Sequence, residues 1–125
     1  MIYVASKIAH APLWREYRDR GFPIRSSWID MTGDNAGVDW DKFLDEVARA
    51  KILVAFMYTW DEYWRGALVE IGCALGFNKP VLLVAPPNDD PADVRKKIGS
   101  WISHKRVIPQ ASIEDAMRIA KDYCL

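Results

Sequence analysis

The sequence is short of the features that mark the simplest function classes. Neither charge is in excess: 17 Lys and Arg stand against 17 Asp and Glu. A duplex-binding protein has to neutralise many phosphates at once, so this balance argues against one, while leaving room for a single small phosphorylated ligand. No apolar run approaches the roughly 18 residues that suggest a membrane span. The opening "MIYVASKIAH" has no signal-peptide pattern, because a lysine and a histidine interrupt its apolar run at once, and it reads as a first strand. Cysteine is scarce: Cys73 and Cys124 lie far apart, in no metal spacing, and Cys73 falls within an apolar helical pattern as a reduced core thiol. No metal or other cofactor is called for. There is no repeat, low-complexity tract or internal linker. These absences describe a soluble, cytoplasmic chain. Its 125 residues, 50% apolar and 27% charged, suffice for one domain with a real core.

Tryptophan is what the sequence has in plenty, with six, at 14, 28, 40, 60, 64 and 101. Core packing accounts for Trp14 and Trp40. Trp60 and Trp64 share the polar stretch "YTWDEYW", where aromatic rings suit a flat ligand or a protein partner.

Apolar runs alternate with helical patterns. "IYVAS" (2–6), "PIRSSWI" (23–29), "KILVAFMY" (51–58), "PVLLVA" (80–85) and "RVIP" (106–109) read as strands. Between them lie helices. The first ends at Gly21 as C′ residue, and Asp39 caps the second, with Trp40, Phe43, Leu44 and Val47 on one face. The third runs over 63–75 and stops at Gly76. The fourth has Asp90 as N-cap and Pro91 at its first position, and the last is capped by Ser112 with Asp115 three residues on. Strict β-α alternation implies right-handed crossovers and a parallel sheet. The expectation is a single α/β domain, doubly wound and flavodoxin-like or Rossmann-like, with five strands in the order 2-1-3-4-5. Ligands bind such sheets at the carboxyl ends of the strands, where the winding reverses. That selects the loops "SKIAH", "IDMTGDNAG" and "YTWDEYWRG".

One charge interrupts the third helix. Glu70 groups with Ala67, Ile71 and Ala74 on a small, apolar, sheet-packing face, and with Tyr63 a turn earlier. A carboxylate there either reaches the helix edge to pair with a lysine or arginine, or projects into a cavity above the third strand. In "ASKIAH", a helix N-terminus with Ser6, Lys7 and His10 suits an anion; alternatively Ser6 caps the helix and Lys7 is solvated. In "SSWIDMTGD", Trp28 or Ile29 can flank a flat ligand and Asp30 can bond a ligand's hydroxyl or polar edge, or Trp28 ends the strand in the core and Asp30 begins a turn. Arg65 can bind a phosphate or face water. "IGSWISHKRVI" carries Trp101 and His104, for packing or a subunit contact.

The stretch "KILVAFMYTWDEYWRGALVEIGCALGFNKPVLLVAPPNDDP" resembles the core of the nucleoside 2-deoxyribosyltransferase family, which includes nucleoside 5′-monophosphate N-glycosidases. The matching positions are Gly66, Glu70, Gly72, Ala74 and Lys79-Pro80, with "IYVAS" similar to the family's first strand and Tyr3 at a tyrosine often near the catalytic glutamate. Residues 51–84 match well, and the element order agrees over the whole chain, 1–125. The resemblance implies that Glu70 attacks the anomeric carbon of a nucleoside or nucleotide sugar, with Tyr3 holding one carboxylate oxygen. Nothing metallic is required. It also implies a homodimer or larger assembly, in which a neighbour often completes the pocket. The chain departs from the family at Trp64, where transferases tend to carry an aspartate and the hydrolases a serine, and at Phe43, where an aspartate is usual. Asp61 or Glu62 can supply the acid. Trp60, Trp64, Arg65 and Gly66 complete the expected substrate contacts. A different reading is a non-catalytic module that binds a nucleotide or an ADP-ribose-like ligand; a third is an interaction protein whose aromatic loop binds another protein.

Overall fold

The structure, a computed structural model, describes residues 1–31 and 38–125. The stretch 32–37, the larger part of the expected loop "IDMTGDNAG", lies outside the described residues. The strands are β1 (Ile2–Ser6), β2 (Ile52–Phe56), β3 (Val81–Val84) and β4 (Val107–Gln110). The helices are α1 (Ala11–Asp19), α2 (Trp40–Arg49), α3 (Arg65–Gly76), α4 (Pro91–Ile98) and α5 (Ile113–Tyr123). Among the described residues, no helix is long and apolar enough to cross a membrane.

The four strands are all parallel and lie in the order β1-β2-β3-β4. Every residue of β2 and the first four of β1 are buried, so both faces of the sheet centre are covered. Burying each large aliphatic chain there contributes about 1.5–3 kcal/mol. α3 packs over β1, β2 and β3, with α2 beside it. α5 packs on β2, β3 and β4, and α1 ends beside it, where Arg20 reaches Glu114 at 3.8 Å. The helix ends follow their local chemistry. The side chains of Asp39, Asp90 and Ser112 each accept a backbone N–H of the helix that follows. Gly21 takes φ +96° after α1, with its N–H on Arg18 O at 3.0 Å and the Phe22 N–H on Tyr17 O at 3.2 Å. After α3 that left-handed place belongs to Asn78, at φ +58°, two residues beyond Gly76.

The expected five-stranded sheet in the order 2-1-3-4-5 is not what the described chain forms. The segment 23–29 does lie along the free edge of β1, but it makes only one parallel bridge, Ile24 with Ile2. It then turns into a 3-10 helix at Ser27–Asp30. The reason is that side chains replace the ladder. The Val4 N–H donates to Ser26 Oγ at 2.9 Å, and the Trp28 indole N–H donates to Val4 O at 2.8 Å. The edge groups of β1 are satisfied without a strand, and the backbone is free to turn.

Ser26 is 4% exposed, so Ser26→Ala strands the buried Val4 N–H. The expected loss is about 1–3 kcal/mol in urea unfolding at neutral pH; an unchanged unfolding midpoint would show that the side-chain bond contributes nothing.

Candidate active site

The buried residues of α3 are Ala67, Glu70, Ile71 and Ala74, the face read from the helical wheel. Tight packing of small residues brings the helix close to β1 and β2, and it carries Glu70 inward with them. The carboxylate is 5% exposed and takes a hydrogen bond from the Tyr3 hydroxyl, which rises from β1. No salt bridge among the described residues involves Glu70, so the lysine or arginine pairing at a helix edge is not formed. Burial pushes its pKa from 4.5 up to about 8, against the Tyr3 bond, which lowers it; the Glu46 carboxylate adds to the rise. Burial and the Glu70 charge raise the Tyr3 phenol far above its ordinary value, so it remains a donor.

Glu70 forms part of a cleft of about 580 Å³. Ser6, Lys7 and Ile8 enter it from the end of β1, and Trp28 and Met31 from the 3-10 turn and its exit. Val38, Trp40 and Phe43 come from the start of α2; Tyr63, Trp64, Arg65, Gly66 and Ala67 come from the start of α3. This is the carboxyl end of β1 and β2, where the fold rule places a ligand. The walls are aromatic. Trp28 and Trp64 each anchor one edge, their indole N–H groups on Val4 O and Phe56 O at 2.8 and 3.0 Å. Trp40 departs from the core role expected of it. It is 36% exposed and lines the cleft, with its ring 5.5 Å from Phe43. Gly66 makes room for it: a Cβ there would stand 3.3 Å from Trp40 Cη2. Polar chemistry is sparse. Lys7 and Arg65 are exposed cations of the lining, and Glu70 is the one carboxylate of the lining among the described residues. The Ser6 hydroxyl is already engaged, donating to Lys7 O at 3.0 Å and accepting the Trp14 indole at 2.8 Å.

Tyr3 meets Glu70 without itself lining the cleft, and His10, Asp30, Trp60, Asp61 and Glu62 also lie outside this lining. His10 sits 3.1 Å from Glu62, whose carboxylate also accepts the Tyr58 and Thr59 N–H groups at 2.7 and 3.0 Å. That bond ties the loop after β2 to the turn after β1. Asp30 is held by both Arg18 guanidinium nitrogens at 2.7 and 2.8 Å on the surface, which lowers its pKa. Trp60 packs against the core with Lys97 5.9 Å from its ring. Asp61 is exposed, its pKa lowered by a Thr59 hydrogen bond. Sequence reasoning missed Ile8, Met31, Val38 and Phe43 as lining, and Glu46 altogether. The spacing of Trp40 and Phe43 on α2 was a signal of a shared face; nothing in the sequence marks Glu46 as buried.

Glu70 binds its proton more tightly in the folded chain than in the unfolded one. Its contribution therefore favours the folded state most below about pH 4.5, and that contribution disappears as pH rises to about 8. Urea unfolding at pH 5, 7 and 9 is expected to show a fall on the order of a few kcal/mol in the wild type and a much flatter profile in Glu70→Gln. Equal slopes in the two proteins would refute the raised value.

Compared by sequence, the chain matches no protein-family model and no curated protein. Compared by structure, it is similar to a 2-deoxyribosyltransferase from the psychrotolerant bacterium Bacillus psychrosaccharolyticus, with a TM-score of 0.60 at 18% identity over 93% of this chain and 89% of that one. That enzyme is described as a biocatalyst for the synthesis of antiviral and antitumoral nucleosides. At this identity the likeness is one of fold: the chain is built on the fold of a 2-deoxyribosyltransferase.

Proposed function

We propose that the chain cleaves or exchanges the N-glycosidic bond of a nucleoside or nucleoside 5′-monophosphate, with Glu70 as nucleophile. The observation that carries this reading is the Glu70 carboxylate itself, held by Tyr3 at a cleft walled with aromatic rings. A Glu70 oxygen bonds to the anomeric carbon as the carbon–nitrogen bond breaks. The bonding pair leaves with the base, which takes a proton from solvent in the open cleft. Water, or a nitrogen of a second base, then attacks the same carbon, gives its proton to solvent and releases the carboxylate. Positive charge developing on the sugar ring favours ionised Glu70 when it is needed. Trp28, Trp40, Phe43 and Trp64 offer faces to the base. Lys7 and Arg65 are the groups for a 5′-phosphate, because Ser6 has no free donor. Asp61, exposed, outside the lining and with its pKa lowered, does not supply the departing base's proton.

A pKa of about 8 leaves roughly a tenth of Glu70 ionised at pH 7. The kcat/KM of base release is therefore expected to climb about tenfold per pH unit and level off near pH 8. The test is incubation with a panel of nucleosides and nucleoside monophosphates, with free base read by chromatography. Glu70→Ala should lose about a thousandfold or more; base release at the wild-type rate would refute the assignment. The same pKa lends a second reading some support. A carboxyl mostly protonated at neutral pH can donate to a ligand, as a non-catalytic nucleotide or ADP-ribose-like binding module requires. Thermal stabilisation by such ligands with no base release would select that reading.

The reading includes a homodimer or larger assembly. Leu68, Val69 and Phe77, 42%, 51% and 57% exposed, lie on or just past α3, and from Gly66 to Asn78 the only charge is buried Glu70. Light scattering is expected to give at least twice the 14.3 kDa chain mass, and Val69→Lys the mass of one chain; a wild-type monomer would remove the assembly from the reading.

A further inference from the structure

Glu46 touches no reacting atom of the glycosidic step, its only bearing on Glu70 being the charge that adds to the raised pKa; yet it is 8% exposed and forms no salt bridge among the described residues. An unpaired buried carboxylate is costly unless neutral donors satisfy it. Among the described residues, one supplies them. Ser27 donates its hydroxyl to Glu46 Oε1 at 2.7 Å, and its backbone N–H lies 3.1 and 3.3 Å from the two carboxylate oxygens. Charge-assisted bonds of this kind are stronger than neutral ones. Ser27 opens the 3-10 turn, and the next residue is Trp28. The Trp28 ring lines the cleft while its indole N–H holds Val4 O. Glu46 is also one helical turn from Phe43, which lines the cleft from α2.

We propose that Glu46 is a positioning residue of the cleft, a buried carboxylate on α2 that grips Ser27 and thereby locks the Trp28 wall to the Phe43 wall. A purely packing role would be met by an apolar side chain of similar size, with no charge to desolvate. A carboxylate instead gives two acceptor oxygens aimed at a single residue, and that fixes the direction of the turn rather than its burial alone. The inference rests on the glycosidic reading only in naming the base as what the wall faces.

Its test needs no turnover. With tryptophan labelled by nitrogen-15, the indole N–H signals of Trp28 and Trp14 are assigned from Trp28→Phe and Trp14→Phe, and their exchange with deuterated solvent is timed. Trp14 is the internal control: it is fully buried, and its indole donates to Ser6 Oγ at 2.8 Å, away from Ser27. In Glu46→Ala, Trp28 is expected to exchange at least about tenfold faster, with Trp14 unchanged. Glu46→Gln keeps the shape and one acceptor oxygen, so it should move Trp28 in the same direction by less; it decides the matter if the alanine variant does not fold. Unchanged Trp28 exchange overturns the proposal. Equal acceleration of both indoles also overturns it, since that is general loss of stability. Where base release is measurable, KM should rise in Glu46→Ala by more than kcat falls, read above pH 8, where Glu70 is ionised with or without the Glu46 charge. An absence of base release from any substrate would sink the glycosidic reading and leave the exchange result to judge Glu46 alone.

Discussion

The Tyr3 hydroxyl donates to the Glu70 carboxylate inside a mostly apolar layer, and the arrangement of the cleft depends on that bond. It joins β1 to α3 across the sheet face. Without a donor, a carboxylate 5% exposed would have no reason to point inward. With one, it can be held without a cation, which leaves it both oriented and hard to ionise. The absence of a paired lysine or arginine follows the same logic: a fixed positive charge would keep Glu70 ionised and pull its pKa down, where the hydrogen bond only moderates the effect of burial.

A second constraint acts at the outer edge of β1. An edge strand must satisfy its outward N–H and C=O groups. Here Ser26 and Trp28 do this with side chains, and a cleft wall results from the same contact. The indole is held at its nitrogen edge by the strand and turns another part of its surface to the cleft. Trp64 repeats the pattern on the other side, anchored to the last residue of β2. Two tryptophans thus stand on carbonyls of adjacent strands, with little conformational freedom to lose on binding a flat ligand.

Much of the fold was legible because it rests on local chemistry. Alternating apolar runs, the caps at Asp39, Asp90 and Ser112, and Gly21 as the residue after α1 all depend on near neighbours in the chain. The second strand was not, because 23–29 has the composition of a strand and fails for a reason elsewhere: its partners on β1 are taken by its own side chains. The cleft was legible in part. Glu70 announces itself as a charge on an apolar face, and Lys7, Trp28, Trp64, Arg65 and Gly66 follow from the fold rule. Polar residues in the selected loops do not all reach the cleft, since Asp30 and His10 find partners on the surface and in the loop beside it.

By itself the sequence determined a parallel α/β domain and a glutamate on the inner face of its third helix, because helical and strand periodicity are properties of consecutive residues. Only the tertiary structure decided what that glutamate meets. Tyr3 and Glu70 are separated by 67 positions, and Glu46 and Ser27 by 19. Trp40 stands in a cleft wall rather than the core, against Gly66 of another helix, where a Cβ would crowd its ring at 3.3 Å. Such pairings depend on which elements pack together, and burial then multiplies their electrostatic consequences: the same carboxyl group is ordinary on an exposed helix and titrates near 8 beneath a tyrosine, with a second carboxylate close by.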